Sequence, residues 1–326
     1  MKIIIESHIP FINGIFEPYA QVEYLAPEHI TADAVRDADA LIVRTRTRCN
    51  AALLDNSRCR VIATATIGTD HIDLDYCAGR GIQVFNAPGC NAPAVAQYVL
   101  SAIAPAQGKT IGIVGVGHVG RIVEAWAKEL GMTVLLNDPP RQEAEHDCKF
   151  TDLATIAKES DIITFHTPLV KSGKWATVHL ADKAFFNSLE RKPIIINAAR
   201  GPIVDTEALI HALENGQVSK AVIDCWENEP DISARLLELV HVGTPHIAGY
   251  SIEGKRRATA AAVNAVAKAL GLPAKGEQIP DGVHVDNLSW DKIRDSYNPL
   301  TDTAALRHDP TAFESLRNHY NLRHEP

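Results

Sequence analysis

Nowhere in this 326-residue chain does an apolar run reach the roughly 18 residues that a membrane-crossing helix needs, so no such span is expected. Excess positive charge is missing too. With 32 Lys and Arg against 40 Asp and Glu the formal charge is -8, which argues against a nucleic-acid or anionic-membrane partner. The six cysteines, Cys49, Cys59, Cys77, Cys90, Cys148 and Cys225, include no CxxC pair and no spacing of a zinc site. They read as the reduced thiols of a cytoplasmic protein, with no metal. The opening Met1-Lys-Ile-Ile-Ile-Glu6 is too short for a signal-peptide core and lacks a small-residue cleavage site, so it reads as a first strand. Internal repeats and low-complexity tracts are also absent.

What is present is a length suited to two domains of ordinary size. Short apolar runs at Lys2 to Ile5, Ala40 to Val43, Val61 to Thr66 and Gln83 to Phe85 alternate with polar or helical stretches, the rhythm of a parallel α/β unit. An apolar helix over Ala94 to Ala104 leads away from it and stops at Pro105. A second unit opens with a strand at Ile111 to Val114, a helix over Arg121 to Leu130 ended by Gly131, and a strand at Thr133 to Leu136. Further strands are expected at Ile162 to Phe165, Ile194 to Asn197, Ala221 to Ile223 and Val240 to Val242. Asp205 caps a helix through Leu213 with Gly216 as its stop, and the alanine-rich Glu253 to Leu270 is helical and returns the chain to the first unit.

The expectation is therefore an α/β protein of two Rossmann-like, doubly wound parallel-sheet domains. Residues 1–95 with 250–272 form the substrate domain and residues 96–249 the dinucleotide domain, with 273–326 a small C-terminal extension broken up by Pro273, Pro280, Pro299 and Pro310. Two crossings between the domains lead us to expect closure over a substrate.

Gly115-Val-Gly-His-Val-Gly120 follows a strand and opens a helix, the context that a dinucleotide fingerprint requires. Gly115 permits the tight turn, Gly117 lets the backbone approach a pyrophosphate, and Gly120 allows helix to pack closely on strand. The helix N-terminus supplies amide donors to phosphate. About 20 residues on, the next strand ends in Asn137-Asp138, where a carboxylate would bond a ribose diol and repel a 2′-phosphate. NAD is thus expected over NADP, with Arg141 nearby as the one feature that could favour the phosphate.

Three polar residues lie just past apolar runs: Arg200 in Asn197-Ala-Ala-Arg-Gly201, Glu229 in Glu227-Asn-Glu-Pro230, and His246 in Gly243-Thr-Pro-His-Ile-Ala-Gly-Tyr250. Each alone would pass for a solvated loop residue. Placed at the ends of strands in one sheet they share a crevice beside the cofactor. There His246 would take the proton of a substrate hydroxyl as hydride leaves the same carbon. Glu229 would orient and favour the imidazolium, and the planar fork of Arg200 would grip a substrate carboxylate.

These residues, with His166-Thr-Pro168, Asp224-Cys-Trp-Glu-Asn-Glu-Pro230 and Thr244-Pro-His-Ile-Ala-Gly249, resemble the D-isomer-specific 2-hydroxyacid dehydrogenases over most of the chain. The resemblance implies NAD-linked oxidation of a 2-hydroxy acid, with Arg200, Glu229 and His246 catalytic. It places His118, Val119, Asp138, Thr167, Ala198, Asp224 and Gly249 against the cofactor beside the three glycines, and Thr45, Thr66 and Tyr250 against substrate. Four further stretches, Ala63-Thr-Ala-Thr-Ile-Gly-Thr-Asp-His71, Asn86-Ala-Pro-Gly-Cys-Asn-Ala92, Asp138-Pro-Pro-Arg141 and His246-Ile-Ala-Gly-Tyr-Ser-Ile-Glu-Gly-Lys255, are similar to a family member whose substrate is a small phosphorylated 2-hydroxy acid. Phe313-Glu-Ser-Leu-Arg-Asn-His-Tyr320 is similar to that member's C-terminal dimerisation region, which implies a homodimer. The chain departs from the family in a shorter link from Ala102 to Thr110, in a C-terminal region that stops soon after His324, and in Thr45 where serine is usual.

A phosphorylated substrate needs cations. Arg44, Arg46 and Arg48 alternate, so in an extended segment they would share one face, where they either blunt a sheet edge or, with Lys255 or Arg256, receive the phosphate. Two other functions fit the same scaffold: a dehydrogenase for another small acid, of the 3-phosphoglycerate or glyoxylate type, and a NAD-sensing regulator.

Overall fold

A computed structural model describes residues 1–146 and 149–326 as two compact units, Met1–Asn91 with Ser251–Asp281, and Ala92–Tyr250 with Gly282–Pro326. Cys148 lies outside the described residues. The other five cysteines are buried, and none of them forms a disulfide among the described residues.

The first unit is built on five parallel strands: β1 (Lys2–Glu6), β2 (Gln21–Leu25), β3 (Ala40–Val43), β4 (Val61–Thr64) and β5 (Gln83–Phe85). Their order is β2-β1-β3-β4-β5. Both faces of the sheet are covered, as a parallel sheet requires: Ile3 and Ile5 enter one apolar cluster and Ile4 the other. The Ile252–Leu270 helix packs into the first of these through Ala258, Ala262, Val263 and Val266. Ser251 starts it by accepting the Gly254 amide at 2.9 Å, and Gly271 at φ 67° ends it. Strand β2 has no counterpart in the sequence reading. It is an edge strand whose residues are half-buried or exposed, so it lacks the buried apolar run that marks its neighbours.

The second unit carries six parallel strands: β6 (Thr110–Val114), β7 (Thr133–Asn137), β8 (Ile162–Phe165), β9 (Ile194–Asn197), β10 (Lys220–Ile223) and β11 (Val242–Gly243). They are ordered β11-β10-β9-β8-β6-β7. The chain goes from β6 outward to β7 and then back across to β8, so the winding reverses between β6 and β8. Because all six strands are parallel, the loops after β6, β7, β8, β9, β10 and β11 emerge at one edge of the sheet. Strand β11 begins at Val242. Val240, expected to open it, instead caps the preceding helix, Ala234–Leu239, by donating its amide to Leu236 O.

The C-terminal segment, poor in apolar periodicity, forms three short helices at Trp290–Ser296, Pro299–His308 and Phe313–Asn318. Ile293 and Tyr297 join the apolar cluster on one face of the second sheet, while Leu306 and Phe313 join the other. No helix among the described residues is long and apolar enough to cross a membrane.

Candidate active site

The carboxyl edge of the second sheet carries Arg200, Glu229, His246 and the residues expected to meet the cofactor. At the winding reversal Gly115 has φ 91°, and a Cβ there would lie 2.7 Å from the His166 carbonyl carbon and the Thr167 nitrogen after β8. Only glycine lets the two loops pass this closely. A Cβ on Gly120 would meet the Gly115 carbonyl oxygen at 2.2 Å, so the His118–Glu129 helix sits directly on the turn. A Cβ on Gly117 would meet nothing within 4 Å. Packing within the protein does not explain that glycine; the approach of a ligand would.

Gly117 also caps the helix without a side chain, leaving the amides of the first turn, including those of His118, Val119 and Gly120, with no side-chain acceptor at the cap. The buried Thr167 hydroxyl has no hydrogen-bond partner among the described residues. A bare helix N-terminus and an orphaned hydroxyl, both at the winding reversal, fit a dinucleotide. Asp138, at the end of β7, accepts from the Val116 amide at 2.8 Å and the Arg141 amide at 3.2 Å, so it props the glycine turn as well as capping a helix. Arg141 is held by Glu145 at 2.7 and 2.8 Å, donates to Val116 O, and lies over the Phe150 ring. Its charge is matched within the protein, which removes the main argument for a 2′-phosphate.

After β11, His246 places Nδ1 2.8 Å from Glu229 Oε2, and the other carboxylate oxygen accepts the Trp226 amide at 2.8 Å. Burial opposes the charge on Glu229. The His246 and Trp226 hydrogen bonds and the nearby Arg317 outweigh it and hold the carboxyl below its ordinary value. Glu229 is thus an anion beside an imidazole whose other nitrogen can exchange a proton. Asn228 at φ 62° and His246 at φ 56° are both left-handed, a conformation that non-glycine residues keep only where surrounding contacts impose it.

Arg200 follows β9 and partly exposes its side chain, with Nη1 donating to Ala199 O at 2.7 Å. Its loop is fastened to the Glu229 loop. Asn197 Nδ2 donates to Arg200 O at 3.0 Å and Cys225 O at 3.3 Å, and a Cβ on Gly201 would fall 1.9 Å from Trp226 O. Trp226 and Gly201 both lie inside quoted motifs, yet nothing in the sequence marks them for this role. Glu229, His246 and the Cys225 thiol offer donor atoms within 4.8 Å of one another, a spacing that a metal could bridge. The pair is bonded to itself, and the thiol points to Ala199 O at 3.4 Å.

Asp224 is only 1% exposed, so it supports the site from beneath. Its oxygens accept from Thr244 Oγ1 and Ile247 N, both at 2.7 Å, and from Ala248 N at 3.0 Å. Burial raises its carboxyl pKa despite these bonds and the nearby His246. Tyr98 hydrogen-bonds Thr244 Oγ1 at 2.7 Å from below. Ala198, Gly249 and Tyr250 lie partly exposed in the same set of loops, and the Tyr250 ring packs edge-on to Tyr320.

Thr45 and Thr66 belong to the first unit. Thr66 follows β4 and hydrogen-bonds Thr64 Oγ1 at 2.7 Å and Gly68 O at 3.0 Å. Thr45 is exposed in a turn, and this corrects the reading of Arg44, Arg46 and Arg48 as an extended row. The buried Glu6 carboxylate folds the segment back by accepting from Arg44 N at 2.9 Å and Thr47 Oγ1 at 3.2 Å, so alternation does not put the three guanidinium groups on one face. Cavity size does not mark the site: a cavity of about 490 Å³ is lined instead by residues such as Tyr297, Thr301, Asp302, His319 and Tyr320.

Comparison with known proteins agrees with this geometry. Residues 97–248 match the family model described as D-isomer specific 2-hydroxyacid dehydrogenase, NAD binding domain. The erythronate-4-phosphate dehydrogenase of Bacteroides thetaiotaomicron is 48% identical over 338 aligned positions, taking in 100% of this chain and 97% of that one. Its namesake from Yersinia pestis is 40% identical, over 100% of this chain and 93% of the relative. Among solved structures, the D-lactate dehydrogenase of Aquifex aeolicus with NAD and lactic acid superposes with a TM-score of 0.67 at 26% identity, over 83% of this chain and 96% of that one. The fold, the cofactor edge and these relatives agree that the chain belongs to the NAD-dependent D-isomer-specific 2-hydroxyacid dehydrogenases.

Proposed function

We propose that this protein oxidises 4-phospho-D-erythronate to (R)-3-hydroxy-2-oxo-4-phosphobutanoate with NAD, as a homodimer in the cytoplasm, a step of vitamin B6 biosynthesis. The observation that carries the reading is the His246–Glu229 pair at 2.8 Å on the sheet edge that bears the glycine turn, in a chain 40–48% identical over its whole length to the two erythronate-4-phosphate dehydrogenases.

NAD, which the glycine turn would hold, would supply the hydride acceptor. The protein's own residues do the rest. His246 takes the hydroxyl proton on its free ring nitrogen, and the anionic Glu229 on Nδ1 stabilises the imidazolium that results. In reduction the proton returns by the same route. Arg200 grips the substrate carboxylate and polarises the forming carbonyl, while Thr45, Thr66 and Tyr250 contact the rest of the acid. Gly115, Gly117, His118, Val119, Gly120, Asp138, Thr167, Ala198 and Gly249 hold the cofactor, with Asp224 supporting their edge. The substrate phosphate goes to one of Arg44, Arg46 and Arg48. Arg44 is held in place, its Nη1 donating to His8 O at 3.1 Å.

The test is NADH formation across a panel of phosphorylated and plain 2-hydroxy acids, with His246→Ala alongside. Two charge-assisted bonds to phosphate predict a kcat/KM about 100-fold higher for 4-phospho-D-erythronate than for D-erythronate. His246→Ala should lose roughly 10²- to 10⁴-fold in turnover and keep NADH binding. Equal rates on the two erythronates would overturn the substrate assignment, and no turnover on any acid would favour a NAD sensor. Unchanged discrimination in Arg44→Ala, Arg46→Ala and Arg48→Ala alike would remove the arginines from the phosphate site.

A further inference from the structure

His246 keeps a left-handed backbone, a strained conformation that a non-glycine residue holds only where its surroundings impose it. What imposes it is found on two sides of the loop that follows. From beneath, Asp224 takes the amide hydrogens of Ile247 and Ala248. The carbonyl groups face a single side chain from elsewhere in the sequence, Arg323. Its Nη1 donates to Ile247 O and Tyr250 O, both at 3.1 Å, and its Nη2 donates to Ala248 O.

The guanidinium is itself immobilised. Nη2 also reaches Ala94 O at 3.1 Å, Nε donates to Gln97 Oε1 at 2.9 Å, and the group lies 4.2 Å over the Tyr297 ring. Gln97 in turn donates to Ser296 Oγ at 3.0 Å and His324 O at 2.9 Å. A planar five-donor fork suits this divergent set of acceptors; a lysine ammonium, with three donors on one atom, does not.

We propose that Arg323 is a positioning residue for His246: with Asp224 on the amides and Arg323 on the carbonyls, the loop is held in the one conformation that aims the imidazole at Glu229. The inference rests on the proton-transfer role assigned to His246. A purely structural Arg323 would tie the C-terminal segment down and set only the fraction of molecules that fold. A positioning Arg323 sets the rate of each folded molecule.

Arg323→Met and Arg323→Lys separate the two. Each is measured for NADH affinity and stoichiometry by fluorescence, for kcat and KM, for the pH profile of kcat, and for amide hydrogen exchange over residues 247–250. We expect full NADH stoichiometry, because neither the glycine turn nor Thr167 bonds to Arg323, with any loss of affinity confined to the contact of Gly249 in the freed loop. kcat per binding site should fall about 10- to 100-fold in Arg323→Met, the scale of a misplacement near 1 Å, with an intermediate loss in Arg323→Lys. The pH profile should change shape as the imidazole leaves Glu229, and exchange at the Ile247 and Ala248 amides should accelerate. A kcat per binding site equal to the parent's in Arg323→Met overturns the proposal. Should that variant fail to fold, parental loop exchange and kcat in Arg323→Lys overturn it equally. If the parent itself oxidises no acid, the functional reading fails while loop exchange still decides whether Arg323 holds the loop.

Discussion

His166 illustrates how one side chain ties the site to solution conditions. It follows β8, with Nε2 2.9 Å from Thr164 Oγ1, and burial pushes its pKa down to about 3 from an ordinary 6.5. The neutral ring is the folded form, so between those values a proton prefers the unfolded chain. The stabilisation is complete above pH 6.5 and drains away as pH falls toward 3. His166→Gln, which cannot titrate, should therefore show a smaller drop in urea midpoint between about pH 7 and pH 4.5 than the parent. Equal drops would mean that other groups carry the acid sensitivity. Glu229 is also held below its ordinary value, and its contribution is present above the normal carboxylate range and lost on acidification through the lowered value.

At the scale of elements, the glycine turn offers an internal control. Gly120→Ala would drive a Cβ to 2.2 Å from the Gly115 carbonyl, so the helix must shift. We expect a stability loss of about 1–3 kcal/mol together with weakened NADH binding. Gly117→Ala meets open space. It should keep the parental melting temperature and still bind NADH less tightly, because its new methyl group stands where the pyrophosphate approaches. A melting temperature lowered equally by both changes would contradict the division of labour. The same turn shows why much of this edge was legible in the sequence. Motifs such as Gly115 to Gly120 and Thr244 to Gly249 are contiguous, and the apolar runs before them are buried on both faces, so strand and loop announce themselves together. Strand β2, half-exposed at a sheet edge, has no such run, and β11 hid behind Val240 because an apolar helix end and an apolar strand start read alike. The alternating arginines misled for a related reason: alternation implies a shared face only in an extended chain, and Glu6, 38 positions before Arg44, turns the segment. Arg323 is not legible in the sequence because its acceptors in the loop after His246 lie 73 to 76 positions away and are backbone carbonyls, which carry no residue identity.

At the scale of the whole molecule, the two units alternate along the chain, and the second is completed only after the first has been interrupted and resumed. The Phe313–Asn318 helix and its neighbours, packed on the second sheet, form the segment that resembles a dimerisation region. Sedimentation equilibrium at micromolar concentration should therefore return twice the 35.5 kDa chain mass, and a single-chain mass would remove the homodimer.

Arg323 also has a meaning in time. Contacts that span 73 to 76 residues, and 229 to Ala94, are the slow ones to close, and none can form on a ribosome until residue 323 has emerged. A nascent chain arrested before it would already possess the glycine turn, Arg200, Glu229 and His246, while the loop after His246 would still lack the bonds to its carbonyls. The full rate proposed for His246 would then wait on the arrival of one side chain.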